Sequence, residues 1–184
     1  MKKIIFFLLF TFHFLLSSQA FAANPYPIIS AWIPSWDFVA GTKTVTDNPD
    51  IFTEVSPFWY YLKDDGSIGL SEGAESKEFV DTMHRLGIRV LPSITNSFKD
   101  DLATKAMGDE NKRKVFIASV MEKVRANNYD GIDIDFEGFK LPNKDNFILL
   151  LQSLATDLHK TKPMKNFVWI LIGMILSGPN ALSA

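Results

Sequence analysis

The side chains best suited to chemistry lie in an acidic run near the middle of the chain. From Asp130 to Glu137 the sequence reads Asp-Gly-Ile-Asp-Ile-Asp-Phe-Glu, and its branched and aromatic apolar residues predict a strand over residues 129–136. Successive side chains of a strand point to opposite faces. Asp133, Asp135 and Glu137 therefore share one face, and the intervening apolar residues share the other.

Three carboxylates on one face do not by themselves stabilise a fold, because like charges repel and burial opposes ionisation. Some of them must share protons, bind a cation or meet water. The simpler alternative, a solvated edge strand, does not explain why every polar position on this face is acidic. We expect an active site, with Glu137 at the carboxyl end of the strand as the general acid.

The spacing of these residues also resembles a known signature. The pattern Asp-Gly-x-Asp-x-Asp-x-Glu resembles the fourth strand of family 18 glycoside hydrolases, the chitinase-like (β/α) barrels, and it is filled here by Asp130, Gly131, Asp133, Asp135 and Glu137. The resemblance implies a retaining mechanism in which the 2-acetamido group of the substrate is the nucleophile. Glu137 would protonate the leaving oxygen, Asp135 would orient the acetamido group, and Asp133 would hold Asp135 and take up its proton.

The same resemblance implies the substrate class. It would be a β-linked N-acetylhexosamine glycan, such as chitin, the peptidoglycan glycan or an N-glycan core. The partner of the chain would then be a carbohydrate containing N-acetylglucosamine. The resemblance implies no cofactor.

Two earlier segments resemble the first and second strands of the bacterial, spore-germination-like branch of this family. They are Ser-Ala-Trp-Ile-Pro-Ser-Trp at residues 30–36 and Glu-Val-Ser-Pro-Phe-Trp-Tyr-Tyr at residues 54–61. Aromatic rings at strand ends could stack on sugar faces, which makes Trp32, Phe58 and Tyr60 candidate substrate contacts. For each of them, packing in the core is an equally open interpretation.

The third strand ends in Ser93-Ile94-Thr95-Asn96, where many family members have Ser-x-Gly-Gly. Ser93 keeps the polar position of that pattern and is a further candidate substrate contact. Thr95 and Asn96 are bulkier than glycine, so we expect them to keep the backbone from approaching ligand and fourth strand in the usual way.

The rest of the chain alternates predicted strands and helices, which is typical of βα units and a parallel sheet. The strands are predicted at 28–33, 52–62, 88–95 and 129–136. Apolar residues at helical spacing predict one helix from Phe79 to Leu86 that ends at Gly87. They predict a second helix around residues 115–124, and a third over residues 147–158 that Asn143 could cap. The link 34–51 contains Gly41, Asn48 and Pro49 and leaves room for only a turn or two of helix.

Four βα units suit either an open doubly wound sheet or a closed barrel, and the periodicity does not separate the two. The resemblance favours an α/β fold of the (β/α) TIM-barrel type. Such barrels typically need about 250 residues, and the chain has 184. We therefore expect residues 23–165 to form the N-terminal half of a catalytic domain, truncated after about four βα units, with weak folding and little activity unless it self-associates.

The two ends of the chain are apolar. Residues 1–22 combine two lysines, an apolar run and the small-residue site Ala20-Phe21-Ala22, which is typical of a secretory signal peptide cleaved near Ala22. An uncleaved anchor is the alternative, although the run is shorter than a spanning helix. Residues 166–184 form an atypical apolar tail, and its apolar run over residues 166–176 is about half the length of a membrane span. We expect a secreted or periplasmic protein with no stable membrane span after signal removal.

Composition excludes several other functions. The formal net charge of −2 gives no long-range field for nucleic acid. The three histidines are scattered and there is no cysteine, so we expect no metal site of the zinc type and no disulfides. Two alternatives remain: a lectin-like glycan binder on the same scaffold, which would not need the acid Glu137, and an unrelated α/β protein with a carboxylate metal site.

Overall fold

The computed structural model describes residues 27–97, 99, 104, 108–137 and 144–161. The predicted signal peptide, the apolar tail and the proposed cap Asn143 lie outside these residues. The strands are β1 (Ser30–Ile33), β2 (Glu54–Leu62), β3 (Ile68–Leu70), β4 (Arg89–Val90), β5 (Ser93–Thr95) and β6 (Asp133–Asp135). The α-helices are α1 (Phe38–Asp47), α2 (Lys77–Arg85), α3 (Glu110–Ala126) and α4 (Lys144–Thr161), and a short 3-10 helix (Ser35–Asp37) precedes α1.

The strands form one sheet in the order β1-β2-β5-β6, and these four are mutually parallel. β4 also pairs parallel with β2, and β3 folds back on β2 as an antiparallel hairpin. A helix follows each parallel strand position along the chain, as right-handed βα connections require. Four βα units around a parallel sheet confirm the prediction of a (β/α)-barrel type fold of about four units.

The hydrophobic core lies between the sheet and the helices. One face of the strands and the inward sides of all four helices contribute to a single buried cluster. Its largest fully buried side chains are Trp59, Tyr60, Tyr129, Phe116 and Phe136. The apolar half of the acidic strand, Ile132, Ile134 and Phe136, packs into this cluster, so the carboxylates of the same strand point to the other face. Among the described helices, none is long and apolar enough to cross a membrane.

The predicted helix end at Gly87 is confirmed, and two caps that the sequence analysis did not predict lie at the starts of α2 and α3. Ser76 caps α2 by accepting a hydrogen bond from the backbone N–H of Phe79 at 3.2 Å. Gly87 follows with φ +75°, the left-handed conformation that ends many helices at glycine. Asp109 caps α3 and accepts from the backbone N–H groups of Asn111 and Lys112.

The prediction for the link 34–51 is wrong, because it contains the ten-residue helix α1. Its threonines, valines and Gly41 are weak helix formers, and Gly41 reads as a helix breaker in the sequence. In the structure a Cβ on Gly41 would lie 2.8 Å from Cγ2 of Ile33. The glycine therefore allows α1 to pack closely on β1, and tertiary packing outweighs local propensity.

All four predicted strands are shorter than expected, the third and the fourth most of all. The third, predicted over 88–95, divides into β4 and β5 around Pro92, which has no N–H to donate to the ladder. The fourth, predicted over 129–136, pairs only from Asp133 to Asp135. Glu137 consequently lies two residues beyond the last paired residue of its strand.

Candidate active site

The candidate site lies on the face of the sheet opposite the helices. Residues at matching positions of parallel neighbours point to the same face. The register places Phe58 beside Ser93, Ser93 beside Asp133, and Thr95 beside Asp135. The predicted shared face of Asp133 and Asp135 is therefore present, and Ser93 and Phe58 belong to it.

Asp133 lies on this face at the start of β6, the last strand of the sheet order, and is 2% exposed. Its Oδ2 accepts a hydrogen bond from Oγ of Ser93 at 2.6 Å and another from Nε1 of Trp32 at 3.1 Å. Burial raises the pKa of Asp133 from its ordinary value of 3.8 to about 6, and the negative charges of Asp135 and Glu54 add to this. The two hydrogen bonds favour the ionised form and only partly offset the burial. Asp133 can therefore take up or release a proton near neutral pH.

Asp135 is next along the same face, nearer the carboxyl edge of the sheet, and is 9% exposed. Burial raises the pKa of Asp135, and the negative charge of Glu137 raises it further. Glu137 itself is partly buried. The negative charge of Glu137 thus acts on Asp135, and that of Asp135 acts on Asp133.

Aromatic rings flank the carboxylates. The ring of Trp32 meets Phe58 edge to face with centroids 5.9 Å apart, and the ring of Trp36 meets Phe58 in the same way with centroids 6.2 Å apart. Trp32 is 48% exposed and Trp36 is 81% exposed. These three residues form an aromatic cluster with open apolar surface beside Asp133, which suits stacking against a ring-shaped ligand.

Tyr60 does not belong to this face. The register between β2 and β5 shifts between Phe58 and Tyr60, so Trp59 is an extra residue and the alternation of side chains is displaced by one. Tyr60 is 1% exposed in the core, and its hydroxyl lies 2.9 Å from that of Tyr129. The prediction that Tyr60 contacts substrate is corrected to a core position, because a β-bulge turns the side chain toward the helices.

The remaining motif residues, Asp130 and Gly131, precede β6. Oδ2 of Asp130 accepts from the backbone N–H of Val90 at 2.9 Å and lies 2.8 Å from Nε2 of His84. The backbone N–H of Asp130 donates to the carbonyl of Val90. Asp130 therefore ties the start of the acidic strand to β4 and α2, and Gly131 is buried beside it. Asp130 thus positions the strand from its amino end.

The expectation for the end of the third strand is wrong at Thr95, whose backbone pairs with Asp135. Beyond that pair, Asn96 bonds through its side chain to the main chain of Glu137 at both N and O. Sequence reasoning missed this contact and also missed Trp36 as a site residue. The aromatic character of the quoted segment 30–36 was the signal for Trp36, whereas Asn96 carried no signal beyond its departure from glycine.

The atoms on this face that could coordinate a metal ion are carboxylate and hydroxyl oxygens on adjacent strands. Within the described ranges, no group of three or more His, Cys, Asp or Glu side chains is arranged to hold a metal ion. The chemistry that the arrangement itself offers is proton transfer and stabilisation of developing positive charge by carboxylates.

The fold and the site together define a (β/α)-barrel protein with a row of carboxylates at the carboxyl edge of its fourth parallel strand. The chain belongs to the glycosyl hydrolases family 18, whose family model matches residues 21–180. A search of curated protein sequences gave no match.

Solved structures of chitinases and of a spore cortex-lytic enzyme share the fold. A class V chitinase of Pseudomonas fluorescens superposes with a TM-score of 0.70 at 15% identity, covering 79% of this chain and 44% of that one. For the spore cortex-lytic enzyme SleL of Bacillus cereus the TM-score is 0.66 at 14% identity, and the match covers 78% of this chain and 34% of that one. For the family 18 chitinase of Cycas revoluta, solved with allosamidin, the TM-score is 0.65 at 21% identity, and the match covers 78% of this chain and 45% of that one. The chain thus spans less than half the length of these proteins.

Proposed function

We propose that this chain carries the acid-base site of an exported glycoside hydrolase that cleaves β-linked N-acetylhexosamine glycans of the chitin, peptidoglycan or N-glycan type. The observation that carries the proposal is the coupled row Asp133, Asp135 and Glu137 on the open face of the sheet, with Asp133 almost fully buried. Membership of family 18 supports hydrolysis of glycosidic bonds.

The proposed reaction needs no nucleophile from the protein. The carbonyl oxygen of the 2-acetamido group attacks the anomeric carbon as the bond to the leaving oxygen breaks, and that oxygen takes the proton of Glu137. An oxazolinium ion and a Glu137 carboxylate result. Water then attacks the anomeric carbon, gives its proton to Glu137 and reopens the acetamido group, so that the acid is restored and the anomeric configuration is retained.

The two aspartates would support the charged intermediate. Asp135 is the carboxylate next to Glu137 on the shared face, and we assign it the acetamido N–H, where its charge offsets the positive charge on the ring that forms. Asp133 is held by Ser93 and Trp32. Because its pKa is raised to about 6, it can hold a proton in one state and let Asp135 take one in another.

The aromatic cluster of Trp32, Phe58 and Trp36 would bind the sugar rings. Trp36 exposes the most surface and stands on the short helix directly after β1. Stacking there would orient a chain of sugars across the carboxyl edge of the sheet toward Glu137. In the Cycas revoluta chitinase the bound compound is allosamidin, and the same compound is a probe for this chain.

The test is hydrolysis of a fluorogenic β-linked N-acetylglucosamine oligomer by the chain, compared with Glu137→Gln and with Glu72→Gln, an exposed glutamate outside the carboxylate row. We expect slow turnover that falls about 10²- to 10⁴-fold in Glu137→Gln and is unchanged in Glu72→Gln. Equal turnover in all three would refute the role of Glu137. Oligomer binding without turnover in any of them would favour the lectin-like alternative.

Export is a separate part of the proposal and rests on the sequence of residues 1–22. Expression of the full chain in a bacterium, followed by mass measurement of the periplasmic and secreted fractions, tests it. We expect a product that begins near Ala23. Retention of the whole chain in the membrane fraction would favour the uncleaved anchor.

A further inference from the structure

Asn96 joins the ends of two neighbouring strands through its side chain. The residue directly follows β5 and is fully buried. The backbone N–H of Glu137 donates to Oδ1 of Asn96 at 3.0 Å, and Nδ2 of Asn96 donates to the carbonyl oxygen of Glu137 at 2.6 Å. The same Nδ2 lies 3.4 Å from the carbonyl oxygen of Lys99. Both main-chain polar groups of Glu137 are thus held by one amide.

This pair of bonds replaces a step of the sheet ladder. The backbone pairing of β5 with β6 stops at Thr95 and Asp135. Immediately afterwards the chain turns away from the sheet, because Ser97 has φ +54° and its N–H donates to Oγ1 of Thr95. A carboxamide carries the same donor and acceptor as a peptide group. The side chain of Asn96 therefore extends the pairing by one residue where the backbone has left.

Glu137 needs such a support because it lies outside its own strand. The ladder directs the side chains of Asp133 and Asp135, but the strand pairing that the structure describes ends at Asp135 and does not include Glu137. The charge of Glu137 raises the pKa of Asp135, so the two carboxyl groups act on each other. If the main chain of Glu137 rotates, its carboxyl group turns away from Asp135. A catalytic acid must be kept within a small distance of the proton acceptor, and a displacement of about 1 Å costs roughly 10²-fold in rate.

We propose that Asn96 is a positioning residue that fixes the main chain of Glu137 and so aims its carboxyl group at the scissile oxygen. The inference rests on the proposed function, in which Glu137 is the general acid. Asn96 does not touch the reacting atoms. Its effect is on the geometry of the acid in the transition state, so its loss lowers kcat and leaves KM unchanged.

The first test compares the full chain with Asn96→Ala and Asn96→Asp, and with Asn48→Ala as the matched control. Asn48 is an exposed asparagine whose Nδ2 donates to the carbonyl of Thr44. On the fluorogenic N-acetylglucosamine oligomer we expect kcat of Asn96→Ala to fall about 10²-fold with the KM of the unaltered chain. A kcat equal to that of Asn48→Ala, or a loss confined to KM, overturns the proposal.

Asn96→Asp gives a rescue that a purely structural role would not show. An ionised carboxylate accepts from the Glu137 N–H but cannot donate to the Glu137 carbonyl, whereas a protonated carboxyl group does both. Among the residues that the structure describes, the titratable groups on the segments around this amide are Asp135, Glu137 and Lys99, and they are the same in the unaltered chain. The ratio of kcat between Asn96→Asp and the unaltered chain should therefore rise as the pH falls. A ratio that does not depend on pH contradicts the proposal. If Asn96→Ala does not fold, the comparison of Asn96→Asp with the unaltered chain replaces it as the test.

A second readout separates failure of this inference from failure of the proposed function. If the unaltered chain hydrolyses nothing, the proposed function fails, but hydrogen exchange at the Glu137 amide, followed by NMR, still tests the contact. We expect protection of this amide in the unaltered chain and in Asn48→Ala, and at least about tenfold faster exchange in Asn96→Ala. Equal exchange in all three would show that Asn96 does not hold Glu137.

Discussion

Replacing Asp133 by asparagine removes a buried charge and keeps an oxygen that can accept from Ser93 and Trp32. In the folded chain the pKa of Asp133 is raised to about 6, against 3.8 in an exposed carboxyl group. The folded state therefore holds a proton that the unfolded state has released between these pH values. By linkage, the free energy of unfolding falls as the pH rises from about 4 to about 6, and it stays lowered above that.

The magnitude follows from the two pKa values. Each pH unit between them corresponds to about 1.36 kcal/mol, so the charge on Asp133 costs on the order of 3 kcal/mol at neutral pH. Because Asp133 is only 2% exposed, solvent screening reduces this little. In Asp133→Asn the cost is absent. We expect its free energy of unfolding, relative to the unaltered chain, to rise by about 2 to 3 kcal/mol between about pH 4 and about pH 7.

Urea unfolding followed by tryptophan fluorescence measures the effect at both pH values, since Trp59 is buried in the core and Trp32 bonds Asp133 directly. Equal m-values would show that the variant unfolds to the same extent. The control is Asp64→Asn, an exposed aspartate beyond the end of β2. If the curves for Asp133→Asn and Asp64→Asn run parallel across the pH range, Asp133 does not carry a raised pKa and the reasoning is refuted.

Three further substitutions separate the core from the site. Tyr60→Phe should lower the free energy of unfolding by about 1–3 kcal/mol, because the hydroxyl of Tyr129 loses a buried partner. Oligomer binding, measured by fluorescence titration, should not change. Weaker binding without a loss of stability would show that Tyr60 contacts the substrate. Trp36→Ala should weaken oligomer binding about tenfold through lost stacking and leave the thermal melt unchanged, and equal affinity would contradict the stacking role. Gly87→Ala should cost about 1–2 kcal/mol in urea unfolding because of its φ of +75°, whereas Gly108→Ala, with open space around it, should cost less.

Features that follow from the spacing at which side chains repeat along a strand or helix could be predicted from the sequence. Alternation alone places Asp133 and Asp135 together on the face opposite Ile134, and the structure agrees. The helix ending at Gly87 followed from the conformational freedom of glycine. The alternation of the main strands and helices followed from the change between the two periods. The barrel type of fold did not follow from it, and came only from the resemblance of the segment Asp130 to Glu137 to a known signature.

Features that depend on strand geometry were not predictable. The bulge at Trp59 moves Tyr60 from one face to the other, and a period of two carries no sign of where an extra residue enters. Gly41 looked like a helix breaker, although its missing side chain is what lets α1 approach Ile33. The contact from Asn96 to Glu137 forms because the backbones at the ends of β5 and β6 lie far enough apart for one side chain to bridge them. Only the three-dimensional arrangement reveals that spacing.

The most direct test of the central claim, substrate-assisted catalysis with Glu137 as the acid, is the configuration of the sugar first released. Proton NMR of a β-linked N-acetylglucosamine oligomer, recorded at early times with the chain present, distinguishes the two anomers before they interconvert. We predict that the β-anomer appears first and that Glu137→Gln releases neither. Initial release of the α-anomer, or unchanged release by Glu137→Gln, would contradict the account.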